Sequence, residues 1–129
     1  MSEGAKSMKK KKETILVIED DLDVLSMIIK HLEYLGYNVR SAKDGMEGLK
    51  ELEIGGYDLV ITDIVMPYVS GVGVVTALKA KHAAIPVIAI TGYGKEPEAV
   101  ALEKKADVVL SKPVRMGILK EHIARLLRS

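Results

Sequence analysis

Apolar residues follow two alternating patterns along this chain. Five short stretches are predicted as strands, at residues 14–18, 37–40, 58–62, 86–90 and 107–110. Most are unbroken apolar runs, which are typical of parallel strands covered on both faces. Between them, apolar residues recur at spacings of three and four, which predicts amphipathic helices. These helices are expected over residues 22–35, 45–54, 71–82, 96–104 and 115–127.

The helix boundaries have local signals. Asp44 and Ser70 precede the second and third helices and are expected to cap them, because their side chains accept hydrogen bonds from the first turn. In the second helix, Met46, Leu49 and Leu52 are expected to face the core. The third helix is rich in Val, so packing rather than propensity must hold it.

Strict alternation of strand and helix with short connections predicts an α/β fold whose parallel sheet is wrapped on both sides. About 115 residues are too few for an eight-stranded barrel. We therefore predict a doubly wound, flavodoxin-like fold with a five-stranded parallel sheet of order 2-1-3-4-5 and five helices. One folded domain is expected over residues 13–129, after a disordered basic leader over residues 1–12.

Composition narrows the class of protein. The 129 residues are 48% hydrophobic, enough for one packed core, and include no Cys, which excludes disulfides, thiol catalysis and thiolate metal sites. No apolar run approaches the roughly 18 residues of a membrane span. No signal peptide follows the basic start. A cytoplasmic protein without a membrane partner is expected.

The charge is distributed unevenly. Residues 1–13 carry +3 and the other 116 residues carry −2. The body shows no basic cluster of the kind that nucleic-acid binding needs, so no direct contact with nucleic acid is expected. The lysines of residues 1–12 are interpreted as a solvated leader or a non-native extension.

Polar residues fall at the carboxyl ends of four predicted strands: Glu19 and Asp20, Asp63, Thr91, and Lys112. In parallel α/β sheets that edge is where ligands bind. Three crowded carboxylates raise each other's pKa values, and Mg²⁺, which binds carboxylates together with phosphate oxygens, compensates their charge. Lys112 supplies a point charge and Thr91 a hydroxyl donor for phosphate.

This set of residues points to phosphoryl chemistry at Asp63. The three histidines, His31, His82 and His122, are predicted on helices away from the strand ends, which argues against histidine acid–base catalysis. What remains is attack by a carboxylate on a phosphoryl group, with Mg²⁺ and Lys112 neutralising charge.

Four motifs at strand ends carry a family resemblance. They are Ile15-Leu16-Val17-Ile18-Glu19-Asp20-Asp21, Thr62-Asp63-Ile64-Val65-Met66-Pro67 followed by Gly71, Ile90-Thr91-Gly92, and Ser111-Lys112-Pro113. In this order they resemble a two-component response-regulator receiver domain of the chemotaxis-regulator type, stand-alone or excised from a longer chain. The resemblance covers roughly residues 13–128.

The resemblance implies a phosphorylation site. Asp63 would be phosphorylated by a sensor histidine kinase or a phosphotransfer protein. Asp20 and Asp63 would bind Mg²⁺, or Mn²⁺ in its place, with the backbone carbonyl of Val65 and with Glu19 through water. Lys112 would pair with the acyl phosphate.

The resemblance also implies an output. Thr91, followed by Gly92, would move to the phosphate and rearrange the face made by the fourth predicted helix, the fifth strand and the last helix. A downstream protein or a second copy would bind that face. A cis peptide is expected between Lys112 and Pro113.

Some positions depart from the family pattern. Val109 stands where an aromatic residue is usual, so an aromatic-flip output is not expected. Lys105 stands where Gly is usual. Val65 and Tyr93 flank the phosphate position without a side chain that could orient water, which predicts slow self-dephosphorylation.

Two alternatives remain. One is an aspartyl-phosphate phosphatase, which is disfavoured because Val65 occupies the place of its second Asp. The other is a receiver that binds partners without phosphorylation, whose signature would be loss of an acidic, Thr or Lys position. No such position is lost. Together with Val65, this makes a signalling switch rather than an enzyme the leading hypothesis.

Overall fold

The computed structural model describes residues 12–66, 70–92 and 105–128. Its strands are β1 (Thr14–Ile18), β2 (Asn38–Ala42), β3 (Leu59–Asp63), β4 (Val87–Thr91) and β5 (Val108–Ser111). The helices in these ranges are α1 (Leu22–Tyr34), α2 (Gly45–Ile54), α3 (Gly71–Lys81) and α4 (Met116–Arg128). The helix predicted over residues 96–104, and all of the predicted leader except Lys12, lie outside the described residues.

The strands form one parallel sheet in the order β2-β1-β3-β4-β5. This confirms the predicted sheet and its order. Of the five predicted helices, the described residues contain four. None of these helices is both long and apolar enough to cross a membrane.

Both faces of the sheet are buried, which explains the unbroken apolar runs. On one face, α1 and α4 pack against alternate strand residues in a cluster that includes Val17, Ile61 and Ile88. On the other face, α2 and α3 pack against a second cluster that includes Leu16 and Val60. The sheet is thereby fixed between two apolar layers, and its strand ends are held in place.

The bounds of three strands differ from the prediction by one residue. β3, β4 and β5 each begin and end one position later than expected. The ladder continues through the polar residues, since Asp63 pairs with Ile90 and Thr91 pairs with Ser111. A parallel ladder uses only backbone N–H and C=O groups, so a polar side chain does not end it.

Helix α2 corrects one prediction and confirms another. Met46 is 49% exposed, so the expectation that it faces the core is wrong. The inward positions include Gly48 instead, where a Cβ atom would lie 2.8 Å from Ile18 Cδ1. The predicted caps are present: the Asp44 side chain accepts the Glu47 N–H. Ser70 caps α3 in the same way.

Candidate functional site

Three carboxylates converge at the carboxyl edge of the sheet. Glu19 follows β1 and Asp63 ends β3, and these side chains are buried at 1% and 3% exposure, whereas Asp20 is exposed. One carboxylate oxygen from each residue lies within 4.8 Å of the others. The sequence predicted this convergence, and the structure brings all three residues together.

Backbone donors from the turns after the strands hold the two buried carboxylates. Asp63 Oδ1 accepts the N–H of Ile64 at 2.9 Å. Glu19 Oε2 accepts the N–H of Asp21 at 3.1 Å. Among the described residues, Glu19 Oε1 is buried and accepts no hydrogen bond. Sequence analysis missed these backbone contacts, because they depend on turn geometry rather than on residue type.

Lys112, just after β5, supplies the positive charge of this site. Its Nζ lies 3.4 Å from Asp63 Oδ2 and 3.7 Å from Glu19 Oε1. We call Glu19, Asp20, Asp63 and Lys112 the carboxyl-edge cluster. It contains three acidic groups and one basic group.

The burial of this cluster changes its protonation. Burial raises the pKa of Glu19 to about 7, and the neighbouring charge of Asp63 adds to the rise. Burial also raises the pKa of Asp63, against the opposing effect of Lys112. Burial acts to lower the pKa of Lys112, but the carboxylates of Asp63 and Glu19 outweigh it and that pKa is raised. Both buried carboxyls therefore keep their protons to higher pH than free carboxyl side chains do, and Lys112 is the basic group beside them.

These residues fit a hard divalent cation. Such ions prefer oxygen ligands and are bound in proteins by one or two carboxylates together with waters and phosphate oxygens. The three acidic residues of the cluster offer carboxylate oxygens, and the buried Glu19 Oε1 accepts no hydrogen bond within the described ranges. Burial is the main cause of the raised pKa values of Glu19 and Asp63, neighbouring carboxylates add to the rise, and a cation here would favour the charged form of both groups.

Thr91 is buried at the end of β4, and its hydroxyl is directed to β5. Its Oγ1 lies 3.3 Å from the Gly92 carbonyl, and 3.4 Å from both the Leu110 carbonyl and Ser111 Oγ. In the described part of the chain, these are the hydrogen-bond partners of the hydroxyl. Thr91 thus lies at the predicted edge without a hydrogen bond to the carboxylates.

Gly71, the first residue of α3, determines how closely this helix approaches Asp63. A Cβ atom at Gly71 would lie 2.3 Å from the Asp63 carbonyl oxygen and 2.6 Å from Ile64 Cα. The Gly71 N–H donates to the Ile64 carbonyl at 2.8 Å. Sequence analysis placed Gly71 in a motif but did not predict this close approach. The available signal was a glycine directly after the helix cap Ser70.

Of the positions that depart from the family pattern, Val109 lies on β5 and Lys105 lies shortly before it, whereas Val65 follows β3. Val109 is half-buried and packs against the core cluster shared with α2 and α3. Lys105 is exposed, and its Nζ lies 3.4 Å from Thr76 Oγ1. Val65 is 54% exposed. The peptide bond between Lys112 and Pro113 is cis. Tyr93 lies outside the described residues.

The sheet order and the acidic edge together define a class of signalling domain. Residues 15–124 match the family model of the response regulator receiver domain. The chain belongs to this family. Receiver domains are the phosphorylation-responsive parts of two-component systems, act as signalling switches rather than as ordinary enzymes, and bind Mg²⁺ at an acidic site.

Individual relatives agree with this assignment. The transcriptional regulatory protein PrrA of Mycobacterium tuberculosis is 37% identical over 115 residues, which cover 88% of this chain and 49% of PrrA. The chain thus spans about half the length of the first curated relatives it matches.

Solved structures show the same fold. A CheY-like receiver domain protein from Methanospirillum hungatei has a TM-score of 0.86 at 29% identity, over 92% of this chain and 95% of that chain. The response regulator TrrA from Thermotoga maritima, solved in complex with Mg²⁺ and BeF, has a TM-score of 0.81 at 32% identity, over 88% and 98% of the two chains.

Proposed function

We propose that residues 13–129 form a phosphoacceptor switch in which Asp63 receives a phosphoryl group from a phosphohistidine. The donor is a sensor histidine kinase or a phosphotransfer protein. One observation carries the proposal: the buried Asp63 carboxylate lies in one cluster with two other carboxylates and Lys112. Family membership supports it, because receiver domains interact with such donors.

The residues of the cluster have separate tasks in the transfer. A carboxylate oxygen of Asp63 attacks phosphorus, and the bond from phosphorus to the histidine nitrogen breaks. The imidazole leaves with the bonding electrons and takes up a proton, and Asp63 becomes an acyl phosphate. The Lys112 ammonium, 3.4 Å from Asp63 Oδ2, neutralises charge on the phosphoryl oxygens.

The same cluster is the proposed Mg²⁺ site. Asp20, Asp63 and the backbone carbonyl of Val65 would hold the ion directly, and Glu19 would act through water. Mn²⁺ would substitute. When bound, the ion supplies positive charge to the phosphoryl oxygens. Two observations support a cation at this place: three carboxylate oxygens lie within 4.8 Å of one another, and the buried Glu19 Oε1 accepts no hydrogen bond from the described residues.

The proposed output is a change in protein binding. Thr91 would turn from β5 toward the phosphate, beside Gly92, and alter the face of β5 and α4, together with the helix predicted over residues 96–104, which lies outside the described residues. A downstream protein, or a second copy of the chain, would bind that face. Val109 has no ring to bury or expose, so the change would depend on Thr91 and the β5 backbone rather than on an aromatic side chain.

The test of this function is the mass of the intact protein after incubation with Mg²⁺ and a small acyl-phosphate donor. We expect one added phosphate in the wild type and none in Asp63→Asn. Asp23→Asn, an exposed residue in the first turn of α1, is the matched control and should still be modified. Modification that persists in Asp63→Asn, or its absence in the wild type, would contradict the proposal.

A further inference from the structure

Ser111 lies directly across the ladder from Thr91. The two residues are paired at the carboxyl ends of β5 and β4. The Lys112 N–H donates to the Thr91 carbonyl at 3.0 Å and fixes the two backbones against each other. Ser111 is exposed, whereas Thr91 is buried. The Ser111 hydroxyl can therefore reach Thr91 while its own side chain remains largely in solvent.

The Thr91 hydroxyl is weakly held in its present orientation. It has one proton, and its acceptors in the described residues lie at 3.3, 3.4 and 3.4 Å. Hydroxyl hydrogen bonds are usually about 2.5–3.0 Å long, so each of these contacts is weak. A small change at any of the acceptors is enough to alter how often the hydroxyl is directed to β5.

Ser111 provides the side-chain acceptor among these contacts. The Gly92 and Leu110 acceptors are backbone carbonyls, which stay when side chains are replaced. We propose that Ser111 is a positioning residue for Thr91: its hydroxyl holds the Thr91 hydroxyl toward β5 and sets how readily Thr91 leaves that orientation. The direction in which Thr91 then turns rests on the proposed function, with Asp63 as the phosphoacceptor.

The proposal predicts a measurable change in side-chain populations. Loss of one weak hydrogen bond should shift the rotamer populations of Thr91 by about two- to five-fold toward the orientation away from β5. Because Ser111 is exposed, removal of its hydroxyl leaves no buried cavity. Global stability should therefore stay close to that of the wild type.

The experiment follows the Thr91 methyl group by NMR in the full chain, through its ¹³C shift and its χ1-dependent couplings. Spectra are recorded without metal and during titration with beryllofluoride in the presence of Mg²⁺. Ser111→Ala removes the hydroxyl and Ser111→Thr keeps it. Ser41→Ala, an exposed serine on β2, is the matched control.

We expect the metal-free spectrum of Ser111→Ala to lie part of the way toward the beryllofluoride-bound wild type. Its half-maximal beryllofluoride concentration should be lower by about two- to five-fold. Ser111→Thr and Ser41→Ala should match the wild type. A metal-free Ser111→Ala spectrum equal to that of the wild type would overturn the proposal.

The failure of the proposed function would look different. If the Thr91 signal of the wild type did not respond to beryllofluoride, the role of Thr91 at Asp63 would be wrong. The metal-free comparison of Ser111→Ala with the wild type would still decide whether Ser111 positions the Thr91 hydroxyl.

Discussion

The amino and carboxyl edges of the sheet each contain acidic residues and a lysine that pairs with at least one of them. At the amino edge, Asp58 Oδ2 accepts the Thr14 N–H at 2.8 Å. There, Asp107 Oδ2 accepts the Val87 N–H at 2.8 Å and lies 3.2 Å from Lys79 Nζ. We call Asp58, Lys79 and Asp107 the amino-edge cluster. Its carboxylates bond the N–H groups where β1 and β4 begin.

At the carboxyl edge the same residue types are arranged differently. Glu19 and Asp63 are buried, and each is held by a backbone N–H from the following turn. Lys112 lies 3.4 Å from Asp63 and 3.7 Å from Glu19, and the pKa values of both carboxyls are raised by burial. With Asp20, this edge brings three carboxyl groups together beside one lysine.

The polarity of parallel strands explains the difference. Strand beginnings present N–H groups, which satisfy carboxylates, whereas strand ends present C=O groups, which do not. Acidic residues therefore stabilise the fold at the amino edge. At the carboxyl edge their carboxylate oxygens are left able to bind a cation or to attack the phosphorus of a phosphoryl group.

The largest expected effect is a difference between Lys112→Ala and Lys79→Ala in the response of Thr91 to beryllofluoride. Lys112→Ala should still accept phosphate at Asp63 but lose the response of Thr91 to beryllofluoride, because no ammonium remains to hold the phosphoryl oxygens. Lys79→Ala should keep that response, since Lys79 bonds groups at the other edge. NMR of the Thr91 methyl group measures both. A full response in Lys112→Ala would contradict the distinction.

Gly71→Ala should disturb the carboxyl edge without changing its charge. The added Cβ would lie 2.3 Å from the Asp63 carbonyl oxygen, so the β3–α3 connection must shift. We expect a loss of about 1–3 kcal/mol in the free energy of unfolding, measured with urea. Gly117→Ala, where nothing lies within 4 Å of the new atom, is the control and should not destabilise the protein. Equal stabilities for the two variants would refute the close approach.

The free energy of unfolding should depend on pH because of the buried Glu19 at the carboxyl edge. Burial raises the pKa of Glu19 from 4.5 to about 7, so between these values the folded protein binds more protons than the unfolded chain. This contribution to stability is complete below about pH 4.5 and is lost as pH rises through about 7. Because one proton is involved, the free energy of unfolding should change by at most about 1.4 kcal/mol per pH unit.

Urea unfolding at pH 5 and pH 8 in metal-free buffer tests this dependence. Glu19→Gln should reduce the fall in stability, and the raised pKa of Asp63 accounts for a remaining fall of the same sign. Asp58→Asn at the amino edge should leave the contribution of Glu19 in place. Saturating Mg²⁺ should stabilise the wild type at pH 8. An undiminished fall in Glu19→Gln would show that Glu19 is not the group responsible.

The smallest effect is expected at the amino edge. Asp107→Asn keeps an oxygen for the Val87 N–H but loses the charge opposite Lys79. The ion pair is partly exposed, so the loss should be about 0.2–1 kcal/mol. Phosphorylation of Asp63 should be unchanged. If Asp107→Asn folded normally but no longer accepted phosphate, the claim that the amino edge takes no part in phosphorylation would be wrong.

Some of this site follows from the sequence. The apolar periodicity and the rules of parallel topology predict the sheet order, and they place Asp63 near Glu19 and Lys112. The ends of β3, β4 and β5 were predicted one residue early, because backbone ladders continue through polar positions. The contact of Thr91 with Ser111 depends on side-chain rotamers. The approach of Gly71 depends on the path of a loop. Neither has a signature in residue type alone.

The position of the phosphate is the most direct test of the central claim. The protein is phosphorylated in Mg²⁺ with a small acyl-phosphate donor and reduced with borohydride, which converts an aspartyl phosphate to homoserine. The modified residue is then located by tandem mass spectrometry. We expect homoserine at position 63, dependent on Mg²⁺. Homoserine at Asp20, Asp58 or Asp107 in place of Asp63, or none at any position, would contradict the account.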